Sequence, residues 1–135
     1  MADAPPGIRP RPTSPHAQIW RWHITMAASI AHRVTGVGLY GGALLLTTWA
    51  LALASGPDAY AAFTGLAGSP IGRIVLIALS LCLFYHLANG VRHLVWDVGY
   101  GFLPKTADAT AWFVIALALA ATVAFWALVA LTGGF

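Results

Sequence analysis

Two groups of polar residues interrupt an otherwise apolar chain at helical spacing. His86, Gly90, His93 and Asp97 fall at i, i+4, i+7 and i+11, so a helix carries them on one stripe, with Cys82 a turn before His86. Ser29, His32, Arg33 and Gly36 fall at i, i+3, i+4 and i+7 and form a second stripe. Polar side chains at membrane depth are costly and tend to mark a function. A histidine beside a glycine in an apolar span suits a haem. Neutral imidazole ligates iron, and the missing side chain lets a flat macrocycle approach the backbone.

The spacing limits how such a haem can be held. His86 and His93 are separated by a helical rise of about 10.5 Å, whereas two axial ligands must reach one iron from opposite faces of the ring. Only one of the pair can ligate. His86 is the deeper and is the ligand candidate, while His93, nearer the interface, suits a haem propionate. The alternative is that His86 hydrogen-bonds a carbonyl on a neighbouring helix and His93 lies among head groups. A second axial ligand has to come from His32 or from another chain; His32 lies near the start of its helix, closer to the interface, so another chain is favoured. On the first stripe, the Ser29 hydroxyl and Arg33 guanidinium could hydrogen-bond a quinone carbonyl and stabilise charge arriving on its oxygens. Against this, Arg33 can snorkel to lipid phosphate and Ser29 can cap a helix. Gly38 and Gly42 form a GxxxG pair, which admits close packing of another helix. Cys82 reads as a small apolar filler, and Trp20, Trp22, Trp96 and Trp112 read as interface anchors.

The elements that must position these residues are membrane helices. Of the 135 residues 59% are hydrophobic and only 8% are charged, too few charges for a water-exposed surface, and the mean hydropathy is +0.77. A soluble enzyme domain is thereby excluded. The net charge of +3 is too small and scattered for nucleic acid, and the single cysteine excludes an intrachain disulfide or a CxxC metal site. Residues 1–22 are proline-rich and predict an extended arm at the membrane surface, with no secretory or transit signal. Residues 23–135 form the membrane domain. Charge-free runs at 34–54 and 112–132, and an apolar run at 74–91 whose one near-neutral titrating group is His86, predict helices over about 23–54, 71–98 and 109–132. Residues 55–70 read as a short connection broken by Ser55-Gly56-Pro57-Asp58. The fold class is all-α, with three transmembrane helices. Because three helices fall one short of the four that commonly enclose a cofactor, a haem held here would need the chain to be part of a multi-subunit haem-binding bundle.

Assembled, these residues resemble the cytochrome b subunit of succinate dehydrogenase, a membrane anchor of respiratory complex II. The resemblance covers most of the chain. It rests on Arg11-Pro12-Thr13-Ser14-Pro15-His16, on Ser29-Ile30-Ala31-His32-Arg33-Val34-Thr35-Gly36, and on His86-Leu87-Ala88-Asn89-Gly90-Val91-Arg92-His93 followed by Trp96-Asp97. Ala17 and Trp20 depart from the pattern, where a larger aliphatic residue and a tyrosine are common, and neither touches a ligand position. The resemblance implies that His86 is the axial ligand of haem b and that His93, His32 and Arg33 meet the haem propionates. It implies Ser29 and Arg33 as quinone-site residues, with the opposing axial histidine supplied by a second small membrane-anchor subunit. It further implies anchoring of an iron–sulfur subunit and a flavoprotein subunit, a place in the tricarboxylic acid cycle and electron transport, and ubiquinone as the acceptor. No dinucleotide-binding glycine pattern or iron–sulfur cysteine set is present, so this chain alone would not oxidise succinate. The RPxSPH form, with no presequence, favours a bacterial inner membrane over the mitochondrial one. A quinol:fumarate reductase anchor would run the same chemistry in reverse, and a non-redox membrane assembly subunit would use the stripes only to join helices.

Orientation follows from the cations. Arg9, Arg11, Arg21, Arg33, Arg92 and Lys105 lie on one side and Arg73 alone on the other, which predicts a cytoplasmic N-terminus and an external C-terminus. In a Thr106→Cys variant the thiol is expected to react with an impermeant reagent only from the cytoplasmic side. Modification from outside would overturn this orientation.

Overall fold

The computed structural model describes residues 14–15 and 18–133, so most of the expected N-terminal arm lies outside the described residues. Four helices follow in order: α1 (Ile24–Ala54), α2 (Pro57–Ala67), α3 (Pro70–Asp97) and α4 (Pro104–Leu131). Among the described residues there is no strand. Three of the helices, α1, α3 and α4, are long and apolar enough to cross a membrane. Their apolar surface is largely uncovered, as at Leu46, Leu87 and Val123. This is what a helix facing lipid or a partner requires, because lipid tails solvate such side chains as well as a core does.

Two boundaries differ from the sequence reading. The segment between the first two spans is not a simple connection but contains α2. Pro57 sits at its first turn with Asp58 beside it, and Ala59, Ala61 and Ala62 favour helix strongly enough to carry Gly65. At 11 residues it extends about 16 Å and cannot span. The last span starts at Pro104, earlier than the apolar run suggests, since Lys105 to Thr110 are helical but too polar to register as membrane sequence.

The joint between α2 and α3 is tight. Ser69 caps α3 by accepting a hydrogen bond from the Gly72 amide at 3.1 Å, with Pro70 in the first turn. A side chain at Gly72 would collide with the carbonyls of Leu66 and Ala67, so only glycine fits there. At the other end of α3, Gly99 (φ +90°) and Gly101 (φ +84°) take left-handed conformations and turn the chain into α4.

Packing is built from small residues. Ala111, Val114, Ala118 and Thr122 of α4 are buried, repeat at helical spacing and let α4 approach α3, where Tyr85 joins Val114 and Ala118 in the core. On the other flank, a Cβ at Gly36 would meet His86, one at Gly38 would meet Cys82 and one at Gly42 would meet Leu79. The glycine seam of α1 therefore lies on α3 of the same chain. Polar ties cross both seams: the Tyr85 hydroxyl donates to the Ala28 carbonyl at 2.8 Å, and Trp126 Nε1 donates to Ser80 Oγ at 2.8 Å.

Candidate functional site

The antiparallel packing of α1 on α3 brings the two polar stripes together. The His32 ring lies 3.9 Å from that of His86, 14° from parallel, and 5.1 Å from that of His93, 18° from parallel. His32, near the start of α1, stacks directly on His86 and lies between it and His93. The reason is the register of the glycine seam, which sets Gly36 against His86 and so places residues one turn earlier in α1 between His86 and His93. The rings meet by their faces. Among the described residues no three His, Cys, Asp or Glu groups converge to hold a bare metal ion.

The hydrogen bonds settle which ring nitrogens remain available. His86 Nδ1 lies 3.1 Å from the His32 carbonyl, which can only accept, so Nδ1 carries the proton and donates. The Thr35 hydroxyl donates to the same carbonyl at 3.0 Å, and its oxygen is 3.2 Å from His86 Nδ1. His93 Nδ1 likewise donates to the Asn89 carbonyl at 2.8 Å. In both rings this leaves Nε2 as the bare acceptor, the nitrogen a metal takes when Nδ1–H is held by a carbonyl. Among the described residues neither Nε2 has a hydrogen-bond partner, and neither is a buried unpartnered atom. His32 Nδ1, by contrast, is buried without a partner.

The surroundings leave room for a flat group. A Cβ at Gly90 would meet nothing within 4 Å, whereas one at Gly36 would lie 3.1 Å from His86 Cε1. Gly36 thus supports the ring from behind while Gly90 leaves the stripe of α3 open. A carbonyl-held imidazole with a bare Nε2, beside an open glycine, fits a haem.

Ser29 and Arg33 lie one turn apart on α1, half-buried and exposed respectively, and Asp97 is exposed at the end of α3. Neither Ser29 nor Arg33 has a hydrogen-bond partner among the described residues. Ser29 does not cap the helix: it is more than a turn inside α1, whose N-cap is His23. Trp20, Trp22 and Trp112 are exposed, whereas Trp96 is drawn inward, its Nε1 donating to the Gly101 carbonyl at 3.3 Å and its ring 4.0 Å from the Arg92 guanidinium carbon.

A third polar face lies on α3 beside the histidine stripe. Tyr85, Asn89 and Arg92 repeat at i, i+4 and i+7 on α3 and are all buried. They face the bundle interior, and Asn89 orients both neighbours: its carbonyl accepts from His93 and its Oδ1 accepts from Arg92 Nη1 at 3.3 Å. The spacing alone, polar residues at helical repeat offset from the histidine stripe, was the signal for it.

The fold and this arrangement define a three-span integral membrane protein with a histidine site set between two helices. Residues 8–125 match the family described as Succinate dehydrogenase/Fumarate reductase transmembrane subunit, and the chain belongs to that family. It is 42% identical over 116 residues, 86% of this chain and 90% of the relative, to the succinate dehydrogenase cytochrome b556 subunit of Rickettsia felis. To the protein of the same name from Paracoccus denitrificans it is 41% identical, covering 75% of this chain and 76% of that one. The mitochondrial cytochrome b560 subunit of Mus musculus is 39% identical over 67% of this chain and 55% of its own length.

A methyl group at position 36 would press on the ring it supports. Gly36→Ala is expected to lower stability by about 1–3 kcal/mol through overpacking, read as a drop in the thermal midpoint of the detergent-solubilised protein. An unchanged midpoint would show that His86 can move aside freely.

Proposed function

We propose that this chain is the cytochrome b anchor of a bacterial succinate:quinone oxidoreductase, with His86 as the axial haem ligand it contributes. The observation that carries the reading is the donation from His86 Nδ1 to the His32 carbonyl, which fixes the tautomer and leaves Nε2 unpartnered. The opposing imidazole comes from a second small membrane subunit, since His32 is stacked face to face on His86 and cannot oppose it across a ring. His32, His93 and Arg33 stand at the same polar end of the bundle and hold the propionates, Arg33 by charge-assisted hydrogen bonds from its guanidinium and His93 as an imidazolium that donates from Nε2 while its Nδ1 stays on the Asn89 carbonyl. Haem b, when bound, supplies a one-electron redox centre beside the quinone.

Ser29 and Arg33 bind ubiquinone. The hydroxyl donates to one quinone oxygen, and the guanidinium stabilises negative charge as electrons arrive. Reduction also takes up protons, and Arg33 is exposed at the polar end of α1, where water can deliver them. The electrons originate in a flavoprotein subunit and pass through an iron–sulfur subunit, both anchored on the cytoplasmic face of the inner membrane. The direction from succinate to quinone is favoured over fumarate reduction by the names of the relatives, which are succinate dehydrogenase subunits.

Replacing His86 with a residue that cannot ligate is expected to abolish the six-coordinate low-spin spectrum of the purified complex, even if haem stays lodged between helices. Replacing His93 should cost only a charge-assisted hydrogen bond, about 1.5–3 kcal/mol, and preserve the spin state. Loss of the low-spin spectrum in the His93 variant alone would reverse the assignment.

Ser29→Ala and Arg33→Ala are expected to impair succinate-dependent quinone reduction while electron delivery to a soluble dye upstream survives. Haem content should be retained in Ser29→Ala and somewhat reduced in Arg33→Ala. Unchanged quinone-linked activity in both variants would place the quinone elsewhere.

A further inference from the structure

On the face of α3 opposite the histidines, a groove of about 490 Å³ runs between α3 and α4. Its walls are apolar, with Leu87 and Val91 on one side and Phe113 and Leu117 on the other, and its polar end is formed by Arg92 and Thr110. Arg92 is only 7% exposed. Its Nε donates to Thr110 Oγ1 at 3.0 Å, Nη1 to Asn89 Oδ1 and Nη2 to the Ala107 carbonyl at 2.9 Å. All three acceptors are neutral, and each Nη carries a second N–H. Among the described residues no carboxylate lies within ion-pairing distance of it: Asp108, on the facing helix, is instead 3.4 Å from His23 Nε2, and Asp97 is exposed at the end of α3.

The Trp96 ring lies 4.0 Å from the guanidinium carbon and Asp108 attracts the charge through space, yet no carboxylate touches it, and a buried guanidinium with spare N–H donors and no anion in contact is expensive at the edge of a membrane. Arg92 stands little more than a turn from the end of α3 at Asp97, the level at which a spanning helix passes from hydrocarbon to head groups. There the abundant anion is a lipid phosphate, and an apolar groove leading inward from it matches an acyl chain. We propose that the α3–α4 groove binds an anionic phospholipid, its phosphate on Arg92 and an acyl chain along Leu87, Val91 and Phe113. A quinone is neutral and would leave the charge unmatched; a partner helix would fill the groove without an anion. The proposal is independent of the haem and quinone assignments, because the groove lies on the face of α3 away from His86 and His93.

The test uses the intact complex, delipidated in mild detergent and then exposed to phosphatidylglycerol or phosphatidylcholine, with bound lipid read by native mass spectrometry. The wild type is expected to retain phosphatidylglycerol preferentially. Arg92→Gln should weaken that retention roughly tenfold or more, as loss of a charge-assisted hydrogen bond implies. Val91→Trp should block the groove and reduce binding of both lipids with Arg92 intact. Since Arg92 also ties α3 to α4, circular dichroism checks that each variant is folded; if Arg92→Gln is not, the wild-type lipid preference and Val91→Trp decide. Equal retention of both lipids by the wild type, undiminished binding in Val91→Trp, a co-purifying quinone in the groove, or efficient cross-linking of Val91→Cys to a partner subunit would each overturn the proposal.

Discussion

The close approach of α1 to α3 is the contact on which the rest of the site depends. It exists because Gly36, Gly38 and Gly42 present no side chain where His86, Cys82 and Leu79 lie. In a bilayer there is little hydrophobic force to press two helices together, so contact area and backbone proximity must do it. The same seam fixes the register. One glycine supports the His86 ring, and the carbonyl one turn earlier receives its Nδ1 proton. Helix packing and imidazole tautomer are consequences of one geometry.

The second flank works by a different principle. Where α4 crosses α3, alanine, valine and threonine remove bulk, but the polar end is closed by hydrogen bonds from Arg92 to Thr110 and Ala107. A buried cation held only by neutral acceptors is a poor source of stability and a strong source of specificity, since slippage of α4 would leave its donors unmatched. Asn89 couples the flanks by accepting from Arg92 on one side and His93 on the other.

The three spans were legible in the sequence because a hydrocarbon slab imposes a length and an apolarity that few other structures share. What lay outside the slab was not. Pro57–Ala67 has alanine-rich helix propensity but no span length, and Lys105 to Thr110 are helical without being apolar. Stripes along a single helix could likewise be read, since they depend only on the helical repeat. The stacking of His32 on His86 could not, because relative depth on two helices is set by glycine-to-side-chain register across a seam. Trp96 shows the same limit: an interfacial tryptophan is easily read, but its capture by Arg92 and Gly101 depends on how the α3–α4 turn folds back.

The lengths of the helices have a mechanical consequence. The apolar stretch of α1 from Val34 to Ala54 spans about 32 Å, close to the thickness of the hydrocarbon, and the preceding helical residues from Ile24 extend it by about 15 Å. Because α2 and its tight joint close the opposite side, α1 can protrude only at the N-terminal end, and α3 and α4 carry their polar turns there too. The bundle is therefore lopsided, with a stiff polar collar of helix at one end alone. Such a collar is more rigid than a loop of the same length, and it gives the molecule a fixed front and back.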